Sequence, residues 1–238
     1  MRASRFAPRR AALLAAALLL NLLAAAVLGA VPGAEARLRA LREGDVPARR
    51  EALSWLAQFG DASAVEPVVA RLRDPDPAVR ELAEAALWAI WSRSGDPETD
   101  RLLEAGGRLL AAGRLRAALG AFERVVRRRP DFAEGYNKRA TVLYHLGDYE
   151  GSLADIAETL RRNPHHFGAL SGAGLCLVEQ ERPREALLYF ERALEINPNL
   201  RSVRVMAEQL RRLTRGSRVD APGEPGRRAR GWGSGARV

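Results

Sequence analysis

The sequence predicts an all-α fold, a helical-repeat solenoid, and two observations on its 238 residues lead to that prediction. Residues 99–200 carry a pattern that repeats every 34 residues, three times without a gap. Residues 62–93 carry apolar side chains three and four positions apart, which is the spacing of one helix face. A unit of either kind buries its apolar face only against its neighbours, so we expect the units to stack.

An uncharged, apolar run occupies residues 11–31 and follows four arginines within residues 2–10. An Ala-x-Ala motif comes after it at residues 34–36. A basic, an apolar and a small-residue region in this order form a secretory signal peptide. The apolar run is also long enough to cross a bilayer as an uncleaved anchor, so both alternatives stay open. In either case we expect residues 1–36 to direct export, which places the body in the periplasm, free or held at the inner membrane.

Residues 37–95 carry a loose helical pattern in which an Asp-Pro-Asp-Pro turn separates two apolar stretches. Within that turn Asp76 is suited to cap the second helix and Pro77 to begin it. The pattern resembles a HEAT repeat preceded by at least half of another, with a short capping helix over residues 37–43. Trp88 shares one face of the second helix with the tryptophan three residues later. We expect this pair to pack where the HEAT-like part meets the first of the following units.

The three units of the 34-residue repeat cover residues 99–132, 133–166 and 167–200. Small residues at the eighth and twentieth positions let two helices of a unit cross closely, and proline at the thirty-second position ends the second helix. This pattern resembles the tetratricopeptide repeat, TPR. We expect a TPR domain over residues 96–214 that begins at an aspartate cap, winds as a right-handed superhelix and ends in a capping helix over residues 199–214.

The resemblance extends beyond the generic repeat. The runs at residues 91–95, 132–140 and 166–172 are similar to a group of exported bacterial TPR proteins. That resemblance covers roughly residues 88–200 and implies a location outside the cytoplasm, without implying a reaction.

The charge is uneven along the chain, which has 38 basic and 29 acidic residues and a net charge of +9. Most of the excess lies at the N-terminus and in residues 215–238, a Gly-, Arg- and Pro-rich segment that we interpret as a disordered tail. A near-neutral body argues against a nucleic-acid partner. The single cysteine, Cys176, excludes an intramolecular disulfide and a multi-cysteine zinc site, and we interpret it as a small core residue.

A TPR stack presents a concave groove lined by the first helix of each unit. If the resemblance holds, the second, fifth, ninth and twelfth positions face that groove, which is here mostly apolar with a polar strip in its middle. Such a surface favours a peptide or helix as its ligand. The alternative is that these residues pack against a neighbouring helix or the tail. The candidate binding residues, with the nearby lysine, are Leu103, Leu110, Glu134, Asn137, Lys138, Thr141, Tyr144, Ser171, Leu175 and Val178.

Motifs of catalysis are absent from the sequence: it has no phosphate-binding loop, no metalloprotease spacing and no nucleophile elbow. The adjacent His165 and His166 point in different directions and are interpreted as loop residues rather than metal ligands. We therefore expect a non-catalytic adaptor of the bacterial cell envelope, without metal or cofactor, that binds a peptide or protein segment in its groove. The alternative is a membrane-tethered structural or assembly factor without a groove ligand.

Overall fold

The computed structural model describes residues 33–216, where the chain forms eleven α-helices, one 3₁₀ turn and no β-strand. The all-α repeat fold is thereby confirmed. The apolar run at residues 11–31 and the tail beyond residue 216 lie outside the described residues, and so do the predictions made for them. Among the helices that are described, none has the length and apolar character needed to cross a membrane.

The HEAT-like part comprises the first four helices. Asp76 accepts a hydrogen bond from the Val79 N–H and Pro77 is the first residue of the fourth helix, as the turn predicted. The first helix begins at residue 34, three residues before the predicted capping helix, and so includes the Ala-x-Ala motif. The helices are α1 (Ala34–Glu43), α2 (Val46–Phe59), α3 (Val65–Arg71) and α4 (Pro77–Trp91).

The TPR part holds two helices in each 34-residue unit and one more after the third. Asp96 caps the first of them by accepting a hydrogen bond from the Thr99 N–H. The second helix of every unit ends two residues before a proline, as expected for a residue that cannot continue a helix. The helices are α5 (Pro97–Ala111), α6 (Leu115–Arg128), α7 (Ala133–His145), α8 (Tyr149–Arg162), α9 (Phe167–Glu179), α10 (Pro183–Ile196) and α11 (Arg201–Gly216).

The small residue at the eighth position allows the two helices of a unit to approach. A Cβ added to Gly106 would lie 2.5 Å from the ring of Phe122, and one added to Gly174 would lie 2.4 Å from the ring of Phe190. Both rings are fully buried. Each phenylalanine therefore packs directly on the backbone of the facing helix, where only glycine leaves room.

The HEAT-like part does not extend the stack of units end to end. It folds back so that α4 packs against the start of α9, Lys138 of α7 and the loop before α11. At one end the Asn197 side chain donates to Glu84 at 3.0 Å, and at the other the Ser94 N–H donates to Asp100 at 2.8 Å. Buried residues of α2 to α4 belong to the same hydrophobic cluster as buried residues of α9, α10 and α11.

The tryptophans of α4 correct the predicted joint. Trp88 packs edge to face on Phe167 with ring centroids 5.3 Å apart, and Trp91 stacks on His166 at 4.5 Å. Phe167 is the first residue of the third unit and His166 the last residue of the second, so neither contact is to the first unit. A Cβ added to Gly168 would lie 2.4 Å from the Trp88 ring, so the ring packs directly on the backbone of α9 at this glycine.

Candidate functional site

A cavity of about 270 Å³ lies between α7 and α9, on the face that the repeat pattern assigns to the groove. The small residues of α9 make the space, since Gly168 and Gly172 present no side chain to it. Five of the predicted groove residues meet here, at the fifth, ninth and twelfth positions of two units. They are Asn137, Thr141, Tyr144, Ser171 and Leu175.

The wall of this cavity is mostly apolar even where its residues are polar. The Thr141 hydroxyl donates to the Asn137 carbonyl at 3.0 Å, and the Ser171 hydroxyl donates to the Phe167 carbonyl at 2.8 Å. Both hydroxyls are thus bound to their own helices. Leu175 and Ile156 supply apolar surface beside them, so the cavity suits an apolar side chain.

Tyr144, at the edge of the cavity, contacts Tyr149 and Glu179, and we call these three residues the mouth; of the three, only Tyr144 lines the cavity itself. The phenol of Tyr144, whose ring lines the cavity, lies 3.5 Å from the Glu179 carboxylate, and the phenol of Tyr149 lies 3.3 Å from it. The two ring centroids are 5.7 Å apart. Burial, followed by the charge of Glu179, raises the pKa of both tyrosines. Both phenols therefore keep their protons at neutral pH and donate to the carboxylate.

Glu134 is not a groove residue, which corrects the prediction. Its side chain is buried and accepts a hydrogen bond from His166 Nε2 at 2.9 Å and one from the Asn137 amide at 3.1 Å. Burial opposes ionisation, but the His166 hydrogen bond and the charge of Lys138 outweigh it, so the pKa of Glu134 is lowered. Lys138 Nζ lies 3.1 Å from Glu134 and 5.9 Å from the centroid of the Trp88 ring. Both charged residues therefore serve the junction with α4.

The buried Glu134–His166 pair resembles a catalytic carboxylate–histidine dyad, but it lacks a ring nitrogen that is free to react with a substrate. His166 Nδ1 accepts the Ala169 N–H at 3.0 Å and thereby caps α9. Both ring nitrogens are therefore bound within the protein, and neither is free to exchange a proton with a substrate. The described residues hold no cluster of potential metal ligands. His166 does lie in the loop that was predicted, but fully buried and with a structural role.

Three other predicted residues lie away from the cavity. Leu103 is 7% exposed and belongs to the core of the first unit with Phe122 and Phe132, and Leu110 packs against the same cluster. Val178 is exposed near the end of α9 and does not line the cavity. The expectation of an open groove position is therefore wrong for Leu103, because the first unit packs its fifth position into the core.

Two residues of the mouth, Tyr149 and Glu179, were not predicted. Tyr149 begins α8 rather than lying on the first helix of a unit, and Glu179 is the last residue of α9. The groove positions were derived only from the faces of the first helices of units. They therefore predict nothing about residues next to the turn between the two helices of a unit, such as Tyr149 and Glu179. Cys176, in contrast, is buried as predicted and donates to the Ser152 hydroxyl at 3.2 Å.

Family models match both parts of the chain. A tetratricopeptide repeat model matches residues 103–159 and again 139–200. A HEAT repeats model matches residues 34–121, which extends into the first TPR unit.

The chain is 33% identical over 149 residues to a TPR repeat-containing protein of Rhizobium etli, covering 63% of this chain and 72% of that protein. It is 32% identical over 130 residues to DnaJ homolog subfamily C member 3 of Rattus norvegicus, covering 52% of this chain but only 26% of that protein. Among solved structures, the Sgt2 TPR domain from Aspergillus fumigatus superposes with a TM-score of 0.50 at 19% identity, covering 57% of this chain and 93% of that domain. The last comparison shows the fold alone. With both repeat types matched and most of the Rhizobium protein covered, this chain belongs to the TPR repeat-containing proteins and carries HEAT repeats ahead of its TPR units.

Proposed function

We propose that this protein is a non-catalytic adaptor that binds a segment of a partner protein in the cavity between α7 and α9. One observation carries the proposal: five residues predicted from the groove periodicity line a single cavity. Membership of the TPR repeat-containing proteins supports a role in protein–protein interaction, because helical-repeat solenoids bind their partners on extended concave surfaces.

The cavity fits a short segment rather than a whole docked helix. Its volume is about 270 Å³, which is small for a ligand site. Gly168 lines the cavity and also contacts the Trp88 ring of α4. The cavity is therefore closed by α4 at this end. A partner segment therefore inserts a side chain from the end of the groove that α4 leaves open.

A photo-crosslinking amino acid tests the location. Placed at Tyr144, it should form a specific adduct with the partner in envelope fractions. Placed at Leu188, which is 61% exposed on α10 and outside the cavity, it should not. Adducts of equal yield at both positions, or none at Tyr144, would contradict the proposal.

Affinity tests the same site with the partner so recovered. Tyr144→Ala should weaken binding by about 2 kcal/mol, as for a central aromatic of an interface. Gly172→Leu should abolish binding, because the leucine side chain fills the cavity. Gly120→Leu is its matched control, since a Cβ at Gly120 meets no atom within 4 Å and this position lies on α6, outside the cavity. Calorimetric titration of each variant measures the change.

For location, we propose the bacterial cell envelope. The support is the order of basic, apolar and small residues within residues 1–36. N-terminal sequencing of the mature protein should begin at Arg37. Since α1 begins at Ala34, cleavage there must precede the folding of this helix. Recovery of the full-length chain from the soluble cytoplasm would overturn the proposal.

A second candidate, a structural or assembly factor without a groove ligand, is favoured by one observation. At the second position of the second and third units, α4 and its contacts cover residues predicted to face the groove, which are Glu134 and Gly168. Under this hypothesis Gly172→Leu leaves the function of the protein intact, whereas under the first it eliminates partner binding.

A further inference from the structure

The mouth of the cavity is built around one exposed carboxylate. Glu179 is exposed at the end of α9, and the phenols of Tyr144 and Tyr149 both point their oxygens at it. Two phenol hydrogen bonds at 3.5 and 3.3 Å leave the carboxylate with further acceptor positions. The mouth therefore combines an anion with two aromatic rings.

Further carboxylates surround the mouth. The Gln180 side chain donates to Glu150 at 2.8 Å, which holds a second carboxylate beside the end of α9, and Glu181 follows in an exposed turn. The cation next in sequence, Arg182, is bound to Glu185 at 2.7 Å. The local potential at the mouth is therefore negative, which attracts cations and repels anions.

The closed end of the cavity has no free charge. Lys138 is bound to Glu134, lies over the Trp88 ring and does not line the cavity. Trp88 closes this end with an aromatic surface at Gly168. Along its length the cavity thus changes from apolar at the closed end to acidic and aromatic at the mouth.

We propose that the ligand is an extended peptide segment in which a large apolar residue lies next to an arginine or lysine. The apolar side chain inserts between α7 and α9, and the cation lies against Tyr144, Tyr149 and Glu179. A carboxylate and aromatic ring faces together bind a cation more strongly than either alone. This inference rests on the proposed function and names the partner chemistry of that same site.

A displayed random peptide library, panned on the full chain, tests this chemistry. The enriched peptides should carry a large apolar residue within two positions of arginine or lysine. Their synthetic forms should lose affinity about fivefold on Glu179→Gln, as for removal of one exposed charge pair and its cation–π support. Fluorescence anisotropy measures each affinity. Glu208→Gln removes the same charge from an exposed position on α11 and should change nothing.

The outcomes separate this inference from the proposed function. Suppose that the enriched peptides fail to bind the Gly172→Leu variant, but are acidic or bind the Glu179→Gln variant as tightly as the parent. The cation preference is then overturned, and the cavity remains the binding site. Peptides that still bind the Gly172→Leu variant, or a library without any binder, overturn both. Thermal melts of each variant, matched to the parent, exclude loss of fold as the cause.

Discussion

His166 joins three parts of the molecule through one imidazole ring. Its Nδ1 caps α9, its Nε2 donates to Glu134 on α7, and its face stacks on Trp91 of α4. Each contact uses a different part of the ring, and the ring is fully buried. The ring therefore links α9, α7 and α4 at a single buried position.

The carboxylate of Glu134 should give stability that depends on pH. Its pKa is lowered on folding, so the ionised form stabilises the fold above its ordinary value of 4.5, and this contribution is lost as pH falls below that value. Glu134→Gln should therefore lower the free energy of unfolding by about 2 kcal/mol at neutral pH. The difference from the parent should shrink below pH 4.5. Chemical denaturation at both pH values measures it.

Glu208→Gln is the matched control for this charge change, because Glu208 is exposed on α11. It should differ from the parent by little at either pH. A Glu134→Gln variant that is more stable than the parent at neutral pH would show that burial, not the His166 hydrogen bond, dominates the pKa of Glu134.

At the scale of the helix, the effect of a glycine on stability depends on what surrounds it. Gly107 and Gly174 both lie inside first helices of units, α5 and α9. Alanine in place of an exposed helical glycine stabilises by about 0.5–1 kcal/mol, because glycine loses more backbone entropy on folding. The two positions differ in their surroundings, so the same substitution should have opposite effects.

Gly174→Ala should destabilise the protein by about 1–3 kcal/mol, because its new methyl group would overlap the Phe190 ring 2.4 Å away. Gly107→Ala should stabilise it by up to about 1 kcal/mol, since no atom lies within 4 Å of the added Cβ. Urea denaturation of both variants gives the two signs. Equal effects would mean that α9 and α10 do not cross closely at this position.

The helix caps and part of the cavity could be predicted from the sequence, whereas the path of α4 could not. The caps at Asp76 and Asp96 follow from local chemistry, and both are present where expected. The cavity residues Thr141 and Tyr144 follow from the helical period, which places residues three apart on one face. The path of α4 across the units depends on complementary surfaces far apart in the chain, for which no periodicity carries a signal. Glu134 was therefore expected in the groove and lies beneath α4.

At the scale of the whole molecule, the HEAT-like part shares a hydrophobic cluster with α9, α10 and α11, and Gly168 is the position at which this docking can be tested. Gly168→Leu should place a side chain where the Trp88 ring lies. The HEAT-like part should then separate from α9 while the helices persist. Small-angle scattering should show a larger radius of gyration, and tryptophan emission should shift to longer wavelength as Trp88 becomes exposed.

Gly172→Leu lies one turn further along α9 and is the control for this experiment. It fills the cavity without touching the Trp88 ring, so the radius of gyration should match that of the parent. If Gly168→Leu leaves both scattering and emission unchanged, the ring of Trp88 does not hold the two parts together.

Contacts between the HEAT-like part and the end of the third TPR unit also change how the chain folds. A hydrogen bond from Asn197 to Glu84 joins residues 113 positions apart, and one from Asn199 to the Leu72 carbonyl joins residues 127 positions apart. In a simple solenoid each repeat contacts only its neighbours, so the terminal repeats open first. Here the end of α10 cannot open without losing contacts to the HEAT-like part, because the Arg73 side chain donates to the Ile196 carbonyl. Amide hydrogen exchange should therefore be as slow in α10 as in α4, and folding should be slowed by the long loop that must close before these contacts form.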